Sequence, residues 1–419
     1  MKAKHLAPIL LISLILSIHA GFAAETDPPH HIHLTWQRDD LAHAMTVTWQ
    51  SLEEGSGSTV LYDTEPRGGD PGLYAYSAEG VAHTYPGASG IIHDVELTGL
   101  EPETTYYLIC GGEGGWSGEM AFETAPLGRR DLRFVVGGDS RSNPDDRDAV
   151  SSAMRETSPG FVLFSGDLVN DGAIQGQWDG FFGHMDEYWT GEDGLTIPIV
   201  PAIGNHDKGT VNYFDQFALP GNEEWFSFDY GPDLHIVVLN SEATVEGLEA
   251  QTEWLREDLE EHADYPWKVV LLHRNILPSY HDWWLTGVNR WVPIWDTHGV
   301  DLVVTGHSHN YLRSNPVNLT ESMEEAQPSF SEGVMYLSSG GWGAPLYEIK
   351  EGWWVAYTDS LLHFAQIDLY ANGTLHLQAQ GGGYQHQTFH EGICHRHRGR
   401  DPGDHGPATV SHRNCGGPG

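Results

Sequence analysis

Five short segments of this 419-residue chain place side chains with metal-binding atoms directly after an apolar run. Gly137-Gly138-Asp139 follows Val136, Ser165-Gly166-Asp167 follows Phe164, and Gly204-Asn205-His206-Asp207 follows Ile203. His273 follows Leu272, and Gly306-His307-Ser308-His309 follows Thr305. Together they offer two carboxylates, one amide oxygen and three imidazoles: Asp139, Asp167, Asn205, His273, His307 and His309. One metal ion takes about four to six such ligands, whereas two ions sharing a bridging carboxylate would use the whole set. Any one of these residues alone reads as a cap or a solvated group; the ordered series points to a metal centre. Its ligands must be oxygen and nitrogen, because the chain has three cysteines, Cys110, Cys394 and Cys415.

The apolar runs must be strands that end side by side. Leu132 to Val136, Phe161 to Phe164, Ile197 to Ile203, His235 to Leu239, Val269 to Leu272 and Leu302 to Val304 alternate with longer mixed stretches. One of these, from Leu248 to Glu261, puts Leu248, Leu255 and Leu259 on one helical face. Strands alternating with helices predict a layered α/β fold, in which ligands bind at the carboxyl ends of the strands. From about Pro28 to Ala125 the texture differs. MTVTWQS, TVLYD and TTYYLIC are short alternating strands parted by Gly-rich turns, the pattern of a β-sandwich. Within it Leu100, Pro102, Thr104 and Tyr106 have the spacing of a tyrosine corner.

The N-terminus has a basic start at Lys2 and Lys4, an apolar stretch from Leu6 to Ile18, and the small residues Gly21, Ala23 and Ala24. That is the layout of a cleaved export signal, so a secreted or periplasmic protein is expected, with no membrane contact after cleavage. In such a compartment Cys394 and Cys415 are the expected disulfide pair and Cys110 a buried thiol. Lys and Arg number 21 against 59 Asp and Glu, a formal charge of −38. A chain this acidic lacks the basic footprint that nucleic acid or an anionic membrane requires. The expected organisation is a signal over residues 1–24, a β-sandwich over 25–128, an α/β domain over 129–385 and a loosely ordered His- and Gly-rich tail over 386–419.

The series GDS, GDLVN, GNHD, LLHR and GHSHNY resembles the calcineurin-like metallophosphoesterases. The front sandwich, which is similar to a fibronectin type III domain, and the stretches WFSFDYG and SSGGWGAPLY resemble the purple acid phosphatase branch. The resemblance implies a body built on a central β-sandwich flanked by helices. It also implies two metal ions, divalent and drawn from iron, zinc or manganese. Asp167 would bridge them, Asp139 and His309 would bind the first, and Asn205, His273 and His307 the second. His206 would face the leaving group as general acid, with Asp207 orienting it. Two positions depart from the pattern. Asn170 stands where the purple enzymes carry a tyrosine, and Arg141 where other branches carry a histidine. The first metal thus lacks a protein ligand, no purple colour is expected, and Arg141 is free to reach phosphate or to form a structural ion pair. His281, shortly after His273, is a second candidate phosphate contact.

These expectations converge on an exported acid-phosphatase-like hydrolase of small phosphate monoesters that uses hydroxide held by the metals. A phosphodiesterase or nucleotidase of the same fold is the alternative within the class. A non-catalytic binding module with a degenerate metal site is the alternative outside it.

Overall fold

The computed structural model describes residues 28–52, 57–325, 333–382 and 393–396, with residues 323–325 and 393–396 as backbone. The expected export signal and the expected Cys394–Cys415 pairing lie outside the described side chains.

The front domain packs a four-stranded sheet against a five-stranded one. The first runs in the order His30–Thr35, Ala44–Ser51, Ile91–Thr98, Val81–His83. The second centres on Thr105–Gly112, which pairs with both Thr59–Asp63 and Met120–Glu123. The Glu101 N–H donates to the Tyr106 hydroxyl oxygen at 2.8 Å, closing the tyrosine corner that the spacing foretold. Cys110 is a buried free thiol, and burial pushes it up to about 12.

The body is built on two larger sheets. A six-stranded sheet runs Ile199–Pro201, Val162–Phe164, Leu132–Gly137, His363–Leu369, Thr374–Gly381, Ile393–Arg396. Its first three strands are parallel, so their carboxyl ends lie together. A seven-stranded sheet contains the parallel strands Leu234–Val238, Trp267–Leu271, Leu302–Thr305 and Met335–Ser339. Side chains alternate across these strands. Val269 and Leu271 enter the core shared with the six-stranded sheet, while Val270 and Leu272 enter a second core beneath helices. The helix Val245–Glu261 covers that second core with Leu248, Leu255 and Leu259, as its period required. It starts at Thr244, whose hydroxyl accepts the Gly247 N–H at 3.2 Å. Truncating the fully buried Leu255 to Ala would cost about 2–5 kcal/mol.

The front domain docks on the body through the helix Gln175–Tyr188. Asp186 accepts the N–H groups of His31 and Ile32 at 2.8 and 2.9 Å, and the Tyr85 hydroxyl donates to Gln175 Oε1 at 2.6 Å. The two cores are continuous where Trp36 meets Phe161 and Phe228. Within the segment that the sequence reads as a loosely ordered tail, the described residues Ile393–Arg396 add an antiparallel strand to Thr374–Gly381. The added strand pairs backbone groups that Thr374–Gly381 would otherwise present as a sheet edge. Among the described residues no helix is long and apolar enough to cross a membrane.

Candidate metal centre

The centre lies where the two large sheets end together. Asp139, Asp167 and Asn205 follow the strands Leu132–Gly137, Val162–Phe164 and Ile199–Pro201 of one sheet. His273, His307 and His309 follow Trp267–Leu271 and Leu302–Thr305 of the other. Asp139, Asp167 and His273 are buried and bring ligand atoms within 4.8 Å of one another. Asp139, Asp167 and His307 hold left-handed backbones, with φ of 63°, 54° and 64°. Such conformations cost roughly 1–3 kcal/mol each in a non-glycine residue and cluster at functional sites. The motif glycines let the loops close up. A Cβ at Gly204 would collide with Asp167, and one at Gly306 with the Asp139 carboxylate.

Hydrogen bonds on the far ring nitrogens turn the candidate ligand atoms toward one another. His273 Nδ1 donates to the Ser165 carbonyl at 2.8 Å, which turns Nε2 toward Asn205 Oδ1 at 3.0 Å and Asp167 Oδ1 at 3.4 Å. His309 Nδ1 donates to the Pro345 carbonyl at 2.7 Å, and its Nε2 lies 3.4 Å from Asp139 Oδ1. Carbonyl-held imidazoles of this kind are the usual support of metal ligands. Asp139 Oδ2 accepts the His307 N–H at 2.8 Å, while the buried Oδ1 has no hydrogen-bond partner. Burial, and then the charge of His273, pushes His307 far below the usual histidine range, so it is neutral. Burial works in the same sense on His273, but Asp167 and Asp139 outweigh it and raise that group. Neutral imidazole, an orphaned carboxylate oxygen and an adjacent amide oxygen fit a divalent transition metal.

The structure also places the other residues that the sequence singled out. The His206 N–H donates to Asp167 Oδ1 at 2.8 Å, its Nδ1 bonds the Asn170 carbonyl at 2.7 Å, and its Nε2 lies 4.0 Å from Asp167 Oδ2. Asp207 was expected to orient His206, but its carboxylate points elsewhere. It accepts the N–H groups of Asp167, Leu168, Val169 and Gly204 at 2.8, 2.9, 3.2 and 2.9 Å. Burial and then the Asp167 charge push this acid up, against the pull of the backbone N–H groups it accepts. Both of its oxygens act as acceptors, so its role is to hold the loop that carries Asp167. Arg141 forms an ion pair, Nε to Asp167 Oδ2 at 3.2 Å, and also donates to Asn170 Oδ1 at 3.1 Å. Its Nη2 lies 3.4 Å from His309 Nε2. The two departures from the family pattern are therefore partners. His281 stacks on His307 with ring centroids 4.1 Å apart, which brings it to the site's edge.

Sequence reasoning missed Tyr347. Its ring stacks on His309 at 4.0 Å and its N–H donates to the His309 carbonyl at 2.9 Å. The signal was its place in SSGGWGAPLY, two residues beyond Pro345. A second group, Asp229, His235 and His262, also has donor atoms close enough for a metal. There His235 gives both ring nitrogens to carboxylates, of Asp229 at 2.8 Å and Asp258 at 2.9 Å.

The chain is similar to known proteins in both its front domain and its body. The purple acid phosphatase N-terminal domain matches residues 29–124, and the calcineurin-like phosphoesterase domain matches residues 132–311. Purple acid phosphatase 18 of Arabidopsis thaliana is 28% identical over 318 residues, covering 69% of this chain and 67% of that protein. Acid phosphatase type 7 of Homo sapiens is 27% identical over 350 residues, covering 74% and 76%. The structure of a purple acid phosphatase from yellow lupin (Lupinus luteus) seeds shares the fold, with a TM-score of 0.72 at 21% identity over 87% of this chain and 74% of that one.

Proposed function

Because the chain belongs to the calcineurin-like metallophosphoesterases, on the purple acid phosphatase-like branch, and is a metal-dependent hydrolase of phosphoric esters, we propose that it cleaves small phosphate monoesters with two metal ions after export. The observation that carries this reading is the convergence of six oxygen and nitrogen donors from five strand ends, with Asp139 Oδ1 buried and without a hydrogen bond. Asp167 would be shared between the two ions, Asp139 and His309 would hold one, and Asn205, His273 and His307 the other. Bound there, metal ions polarise the phosphoryl oxygens and bring the pKa of water toward neutrality. His206 Nε2, on the Asp167 side of the centre, gives its proton to the departing alkoxide. The Asn170 carbonyl holds the Nδ1 proton and so fixes the ring. Arg141, paired with Asp167, offers its remaining N–H groups to a phosphoryl oxygen, and His281, stacked on His307, is a second phosphate contact. Export is supported by the apolar run Leu6 to Ile18 and the small residues after it.

The test is elemental analysis of protein purified without added metal, followed by turnover of matched monoesters and diesters. Two equivalents of metal and a clear monoester preference are the expected results. A single equivalent would remove the dinuclear reading, and a diester preference would remove the monoester one.

A further inference from the structure

A cleft of about 470 Å³ opens beside the Asp167 loop. It is walled by Arg141, Ser142, Asn143, Arg147, Asn170 and Gln177, and no carboxylate lines it. In a chain with 59 Asp and Glu against 21 Lys and Arg, that is a local inversion of charge. Arg141 belongs to both the cleft and the metal centre, since its Nε pairs with Asp167. Arg147 belongs to the cleft alone. Its side chain is 13% exposed, one Nη donates to the Gly180 carbonyl at 3.2 Å, and its buried Nε has no hydrogen-bond partner. Asp148 Oδ1 lies 3.9 Å from that Nε and 2.7 Å from His184 Nδ1. Burial works against the charged form of this guanidinium, and an anion arriving in the cleft offsets part of that cost.

We propose that this cleft is a subsite for a second anionic group, phosphate or carboxylate, on the leaving group of the substrate, with Arg147 as its cationic contact. Its polar walls, Ser142, Asn143 and Gln177, supply hydrogen-bond donors, and the planar fork of arginine suits either anion. The preferred substrates are then bisphosphates or phosphorylated acids, with the scissile phosphate at the metals and the second anion in the cleft. The proposal rests on the phosphoesterase reading above and deepens it.

Three aryl esters test it: phenyl phosphate, a carboxyphenyl phosphate and a phenylene bisphosphate. Each is assayed with the metal-loaded wild type and with Arg147→Gln. The wild type is expected to favour one or both charged esters by about tenfold or more in kcat/KM, mainly through KM. Arg147→Gln should abolish that preference while phenyl phosphate turnover stays within about twofold, which also shows that the variant is folded. Comparing the two proteins cancels differences in leaving-group acidity. Arg147→Lys should keep part of the preference. Which charged ester gains identifies the anion. Equilibrium binding supplies a readout apart from turnover: pyrophosphate should bind more tightly than phosphate to the wild type, and the advantage should vanish in Arg147→Gln. No preference in the wild type, or a preference that survives Arg147→Gln, overturns the proposal. If phenyl phosphate is not hydrolysed at all, the phosphoesterase reading fails, and the pyrophosphate comparison still decides the cleft.

Discussion

Replacing Asp207 with Asn separates holding a loop from doing chemistry. The Asp207 carboxylate accepts four backbone N–H groups, two on each oxygen. An Asn keeps one acceptor oxygen but turns an NH2 group toward two of those donors. Each buried donor left without an acceptor costs about 1–3 kcal/mol, so the loss centres on about 4 kcal/mol. For a domain of this size, 1 kcal/mol moves the melting temperature by roughly 2–4 °C, which gives a fall of roughly 8–16 °C. Three of the four donors belong to Asp167, Leu168 and Val169, so the Asp167 carboxylate loosens as well. Loss of such outer support typically lowers metal affinity by about 10–100-fold. Calorimetry of the Asp207→Asn protein and metal titration of the stripped variant measure both effects. Stability within about 1 kcal/mol of the wild type and unchanged metal affinity would refute the reasoning. So would a defect seen only with alkyl phosphates, which would return Asp207 to a role in orienting His206.

Further outcomes follow from the same geometry. His206→Ala should lose roughly 10²-fold or more in kcat on an alkyl phosphate and much less on an activated aryl phosphate, with metal content intact; equal losses on both would count against proton donation. Metal titrated into stripped protein should bind in two unequal steps, the weaker at Asp139 and His309, where the Arg141 guanidinium crowds His309; Asp139→Asn should weaken that step alone and Asp167→Asn both. The metal-loaded protein should show no purple band, because Asn170 stands in place of a tyrosine and accepts from Arg141; a visible charge-transfer band would contradict this. Burial lowers His363 from 6.5 to about 4, and its Nε2 has no hydrogen-bond partner. The unfolded chain therefore takes up this proton first, so the contribution is complete above pH 6.5 and is lost as pH falls toward 4, by up to roughly 3 kcal/mol. Denaturant midpoints measured across that window should fall more gently in His363→Leu, and an unchanged slope would exclude the assignment.

What was legible in the sequence was local in its physics. Val269 to Leu272 reads as a strand buried on both faces because every second side chain meets a core, and both cores exist. Leu248, Leu255 and Leu259 fall on one face at helical period. Asp139, Asp167, Asn205, His273, His307 and His309 stood out because each follows such a strand, and parallel strands deliver their ends to one place. The identities of polar partners were not legible in this way. Arg141 meets His309 across 168 positions of sequence, and whether it took phosphate or a carboxylate depended on which strand end lay next to it. Asp207, adjacent to His206 in sequence, turns instead to backbone 38 to 40 residues away. Arg147 reads as an ordinary helix-surface cation until the helix packs and walls it into a cleft without acids. A hydrogen bond is won by whichever donor or acceptor the fold brings within about 3 Å, and that distance is set by the packing of the two sheets rather than by spacing along the chain.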